Sequence, residues 1–277
     1  MPEVRESRVY VDQSETVEAY VAAELGVAVA RVSGDKVGEF SLVERCTARD
    51  VATTAVGIAA ATDEDVLVGD EEDGFEETGF GPAVAVGSYD GGVLAADGDG
   101  GLAHYDGDDW TALGSVDADV RALDGDLVAA ADGAYRLTDD GPSAVGLDDV
   151  RDVAAAGVPL AATPDGLYRL GAGWMQAVDG AFEVAASDPV TASPGELGRA
   201  HAATAAALYA YDADSGDWAA RDLPVDSQVA AVAYATDAVI VLTADGALAV
   251  DAGDGFRHRS LGLRDAAGLA VVAEGNA

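Results

Sequence analysis

Along the whole chain, apolar residues fall in runs of about four to six, separated by polar or glycine-containing turns. The pattern is sharpest from Arg151 to Val178, which holds four such runs: Val153–Ala156, Val158–Thr163, Leu167–Leu170 and Trp174–Val178. Pro164-Asp165-Gly166 separates the second run from the third, and Gly171-Ala172-Gly173 the third from the fourth. Short apolar runs joined by tight-turn residues predict an antiparallel meander of four strands. The same glycine and Asp-Gly breaks oppose long helices. A lone meander cannot bury both faces, so it predicts neighbours of its own kind.

Those neighbours are present. Further units run over Arg49–Phe80, Ala83–Gly114, Val120–Leu147 and Val229–Leu263, and another starts at Phe182 with an insertion over Asp188–Arg199. A first unit, from Glu18 to about Val43, lacks its opening strand, while Ala267–Ala273 is a surplus strand at the end. Two registers support the repeat. Gly133 and Gly166 close equivalent second hairpins, and large aromatics open the fourth strands at Phe75, Trp110, Trp174, Trp218 and Phe256. Repeats of four strands at this length predict an all-β fold, a β-propeller. The surplus strand would complete the first blade and close the ring, removing exposed edges. The count gives seven four-stranded blades; six is the alternative if the interrupted unit is not a blade. The expected layout is a single propeller domain over 17–277 behind an extension over 1–16, whose Val9–Val11 could add an edge strand.

Composition changes the picture in one respect. The chain has 277 residues with 51 Asp+Glu against 15 Lys+Arg, a net charge of −36, and Lys36 is the sole lysine. Disorder requires low hydrophobicity, whereas 49% of these residues are apolar. A folded chain with this charge repels itself unless salt screens it, and at 1 M salt the Debye length is about 3 Å. The composition resembles that of an extreme halophile's cytoplasmic protein, so the acidity describes solvent rather than ligand. Such a surface opposes nucleic-acid binding. The absence of any run of about 20 apolar residues opposes a membrane span, and the first residues lack the apolar segment of an export signal. The expected location is cytoplasmic.

The phrases AATPDGLYRLGAGW, AADGDGGLAHYDGDDW and YAYDADSGDW resemble Asp-box propellers, in which a small-residue strand leads through an Asp-Gly turn to a second turn and a tryptophan. Sialidases, sortilin-type receptors, photosystem-assembly propellers and sensor-kinase propellers share that pattern, which is degenerate here. Over nearly its whole length the chain looks like a member of a haloarchaeal β-propeller family. That resemblance implies a fold and no particular activity.

Candidate chemistry is sparse. Arg49, Arg121, Arg151 and Arg264 each stand at the start of a predicted innermost strand, in RDVAT, RALDG, RDVAA and RDAAG. Converging at the channel mouth, their guanidiniums would suit a carboxylate, a phosphate or an acidic partner segment. Alternatively each ties to a neighbouring blade through an aspartate such as Asp50, Asp152, Asp165 or Asp265. A sialidase-type site would need a tyrosine nucleophile, but Tyr135 and Tyr168 occupy equivalent repeat positions, which marks them as packing residues. His104, His201 and His258 share no ligand spacing, so no metal is expected. Glycine-rich segments such as Gly98–Gly101 lie in hairpins without a following helix, so no phosphate loop or cofactor is expected. Cys46, the only cysteine, lies between Arg45 and Arg49, which would favour its thiolate if exposed, against the commoner role of a small buried residue. The insertion is either a recognition loop or a tolerated surface excursion. The expected function is a non-enzymatic scaffold or binding module for an unknown protein or anionic small ligand. The alternative is a hydrolase or lyase acting on an anionic substrate at the channel mouth.

Overall fold

The computed structural model describes residues 16–273. It is a propeller of seven four-stranded antiparallel sheets, with no helix among the described residues. The innermost strands are Ala48–Thr54, Ala85–Tyr89, Val120–Asp124, Asp152–Ala154, Phe182–Ser187 and Val229–Tyr234 in blades two to seven. Blade one is completed by Gly268–Ala273, which pairs with Thr16–Ala23 from Val17↔Ala273 to Ala22↔Gly268. The closure expected from the surplus strand is therefore present, and the interrupted sixth unit is a full blade. The expected extension falls, apart from Thr16, outside the described residues, as does the edge strand over Val9–Val11.

Seven apolar clusters hold the ring together, each formed between two adjacent blades. Their centres are the second strands, such as Gly57–Thr62 (GIAAAT), which are buried on both faces. That explains why these runs read as continuous apolar stretches and not as alternating ones. Alanine is common in them because blades must approach closely near the axis. The outer strands are far more exposed; Arg257–Ser260 is exposed throughout.

Each innermost strand enters at one face and leaves at the other. Antiparallel order then places the second hairpins and the crossovers between blades on the entry face. The first and third turns of each blade lie on the exit face. A threonine at the end of the second strand fixes several entry-face hairpins. Thr163 Oγ1 lies 2.9 Å from Gly166 O, accepts from Gly166 N at 3.1 Å, and bonds Asp165 Oδ1 at 2.7 Å. Thr62 and Thr243 make comparable bonds in blades two and seven.

Candidate functional site

The innermost strands of all seven blades enclose a channel cavity of about 770 Å³. At its entry rim the second residue of three innermost segments is arginine. Each guanidinium reaches the next blade at one repeated position. Arg49 Nη1 donates to Ala83 O at 3.4 Å, Arg121 to Val150 O at 3.1 Å and Arg151 to Phe182 O at 3.5 Å. Arg121 also pairs with Asp149 at 2.5 Å, and Arg151 with Glu183. These four charged residues line a shallow depression of about 490 Å³ on the rim. Asp149 holds its carboxylate there in a left-handed backbone conformation, φ 50°, which is uncommon outside glycine.

Arg264 does not join them. In blade one the residue at the arginine position is Ala267, since Ala267 N donates to Ala22 O just as Arg151 N donates to Ala162 O. Arg264 therefore sits three residues too early, exposed, in the crossover before the closing strand. Its side chain makes no hydrogen bond or ion pair among the described residues. The sequence match of RDAAG to RDVAA is a coincidence of letters, broken by the register. The tying partners also differ from those expected: they are carbonyls, Asp149 and Glu183, and not Asp50, Asp152, Asp165 or Asp265.

Asp50 and Asp152 do something else, together with Asp124. The innermost strand of each blade has an edge facing the channel, whose N–H groups lack a strand partner. Asp50 Oδ2 accepts from Val86 N at 3.0 Å, Asp124 Oδ2 from Ala155 N at 2.7 Å and Asp152 Oδ2 from Ala185 N at 2.9 Å, each in the following blade. Burial in the channel wall raises all three carboxyls, against the lowering effect of those N–H bonds. Asp50 is pushed up to about 6 and Asp152 to about 7, the latter also feeling the charges of Asp124 and Asp50. The sequence contained a trace of this role, aspartate inside an otherwise apolar run.

The wall of blades six and seven carries a second polar group. Asp188 is 1% exposed and accepts from Arg199 Nε at 2.8 Å, so the two ends of the insertion are tied together. Arg199 also donates to Ala235 O at 2.7 Å and lies over the Tyr234 ring. Tyr234 Oη donates to Ala186 O at 3.1 Å and is 3.1 Å from His201 Nδ1. Burial, with Arg221 and Arg199 nearby, lowers His201 to about 4, so it is neutral near pH 7. Burial raises Tyr234. This is a satisfied buried network that anchors the insertion. Cys46 is half-buried and pushed up to about 11 by burial and by the Glu44 and Asp63 charges. It is a thiol, not a thiolate. Tyr135 and Tyr168 make the same local bond, to Asp132 and Asp165 of their own hairpins.

Among solved structures the chain is similar in fold to YCF48 bound to D1 peptide, with 14% identity, TM-score 0.56, and 77% of this chain and 82% of that one covered. It is also similar to a chain of a Nidogen/Laminin complex, at 9% identity, TM-score 0.60 and coverage of 92% and 98%. Apo AztD from Citrobacter koseri matches at 11% identity, TM-score 0.52 and coverage of 93% and 98%. These likenesses concern the fold. No curated protein matches the chain in sequence. The family model described as HVO_0234-like, beta propeller, matches residues 3–272, a span that takes in every blade and the closing strand. The chain belongs to that HVO_0234-like β-propeller family.

Proposed function

We propose that this propeller is a non-enzymatic binding scaffold, working in a salt-rich cytoplasm, and that its entry rim takes a polypeptide partner. The observation that carries this reading is the pairing at the rim. Arg121 and Arg151, the cations best placed to capture an anionic substrate, already face Asp149 and Glu183. A small anion would have to displace those carboxylates. A polypeptide segment brings both donors and acceptors and can bond to the alternating charges as they stand. The fold has this capacity elsewhere, since YCF48 was solved bound to D1 peptide, although fold alone does not carry function.

The test is co-purification from a lysate of the source cells in molar KCl, comparing the wild type with Arg121→Ala/Arg151→Ala. The expected result is a polypeptide retained by the wild type and lost by a variant that still unfolds cooperatively. If the variant melts earlier but retains the same polypeptide, the arginines are ties between blades and the rim is not the site.

A further inference from the structure

The repeat supplies its own controls, and against them blades five and six lack two contacts that face one cavity. Arg136 in blade four pairs across the sheet with Leu127, as Arg169 in blade five does with Leu160. Arg136 Nε lies 3.0 Å from Asp126 Oδ2. In blade five the position of Asp126, just before Leu160, is held by Pro159. The Arg169 side chain then makes no hydrogen bond or ion pair among the described residues.

The tryptophans show the second loss. Trp110 Nε1 donates to Thr78 O of the preceding blade at 3.2 Å, and Trp174 Nε1 to Val145 O of blade four at 3.0 Å. Val145 is the bulged residue between Ala144 and Gly146; its counterpart in blade five is Ala177, bulged between Gln176 and Val178. Trp218 of blade six should reach Ala177, yet its Nε1 makes no hydrogen bond among the described residues. In place of that contact a cavity of about 580 Å³ opens, lined by Arg169, Ala177, Leu160, Leu197, Tyr211 and Trp218. The volume is within the range of small-molecule sites.

The cavity has a built wall. The insertion folds back over blade five, with Gly195 N donating to Gly157 O at 3.2 Å. Gly157 has φ +72°, and a Cβ there would lie 2.4 Å from Glu196 O. Glycine is what allows the insertion to seat on blade five. The Tyr211 and Trp218 rings meet at 5.4 Å.

We infer that this cavity on the exit face, between blades five and six, binds a small monocarboxylate with an apolar or aromatic body. The carboxylate is taken by the Arg169 guanidinium and the Trp218 indole N–H, and the body lies against Leu160, Leu197 and Tyr211. The Arg169 guanidinium and the Trp218 indole N–H are both donors, which selects an acceptor. Glu196 and Asp217 also line the cavity and act against any anion, so one guanidinium can offset one carboxylate and a second negative charge is disfavoured. The site lies on the opposite face from the entry rim and stands or falls independently of the function proposed there.

Phenylacetate and indole-3-acetate are suitable probes, titrated calorimetrically in molar KCl with phenylacetamide as the uncharged control. At least one acid is expected to bind saturably, with the amide and Arg169→Gln each weaker by about tenfold, the worth of one charge-assisted hydrogen bond. Trp218→Phe, which keeps a ring but loses the N–H, should weaken binding less. Pro159→Asp gives Arg169 the partner that Arg136 has and should abolish binding with cooperative unfolding retained. Failure of both acids to bind the wild type overturns the inference. So does binding that persists unchanged in Arg169→Gln and Pro159→Asp.

Discussion

Single residues in the channel wall carry charge that the fold makes costly. Asp50 and Asp152, raised to about 6 and about 7, hold protons in the native state that the unfolded chain has released above about pH 4. Native molecules therefore bind more protons than unfolded ones between about pH 4 and 7, and the contribution of these groups to stability falls as pH rises through that window. For Asp152 the loss is up to about 4 kcal/mol. Carboxyl-carbon NMR should show these two aspartates titrating well above the remainder. In Asp152→Asn one of the two acceptors that face Val153 N and Ala185 N becomes a donor, a pH-independent cost. The expected signature is thus a wild-type stability that declines relative to the variant from pH 4 to 7, measured by chemical denaturation. A flat difference would mean that Asp152 titrates as an exposed carboxyl. The sequence carried only a trace of this, aspartate inside an apolar run, and Asp50 and Asp152 read there as partners for arginine. Alternation tells which face a residue lies on but not that the face is a channel edge with unpaired N–H groups.

At the scale of strands and hairpins the sequence was far more informative. Turn residues and aromatic register located every blade, because a four-residue strand has few alternatives once its turns are set. The same letters misled at Arg264, whose crossover is longer by three residues than the RD motif implies. The insertion was legible as a break in the repeat. Its seat on blade five was not, because the seat depends on Gly157, some 30 residues earlier. Close approach also explains glycine in the closing strand: a Cβ on Gly268 would lie 2.7 Å from Val51 N and 2.8 Å from Asp50 Oδ1 of blade two. Gly268→Ala should destabilise the protein by about 1–3 kcal/mol through overpacking, seen as an earlier melt. An unchanged melting temperature would show that blades one and two can separate without cost.

For the whole molecule, closure and charge are the governing quantities. Without the strand Gly268–Ala273, Thr16–Ala23 loses one of its two partner strands and becomes an edge, and the cluster between blades one and seven loses Leu269. A chain ending at residue 267 is expected to lose cooperative unfolding and to self-associate by size-exclusion chromatography, through the exposed edge. With a net charge of −36, dialysis from molar KCl to low salt should lower the melting temperature progressively as screening is withdrawn. A melting temperature independent of salt would remove the basis for the salt-rich setting. The most direct test of the proposed function is photo-crosslinking in molar KCl from two positions: 148, the exposed crossover residue next to Asp149 on the entry rim, and 139, in an exposed hairpin of blade four on the opposite face. The rim position is predicted to capture one defined polypeptide from the source-cell lysate and position 139 to capture none. Equal capture at both positions, or none at 148, would contradict a partner seated on the rim.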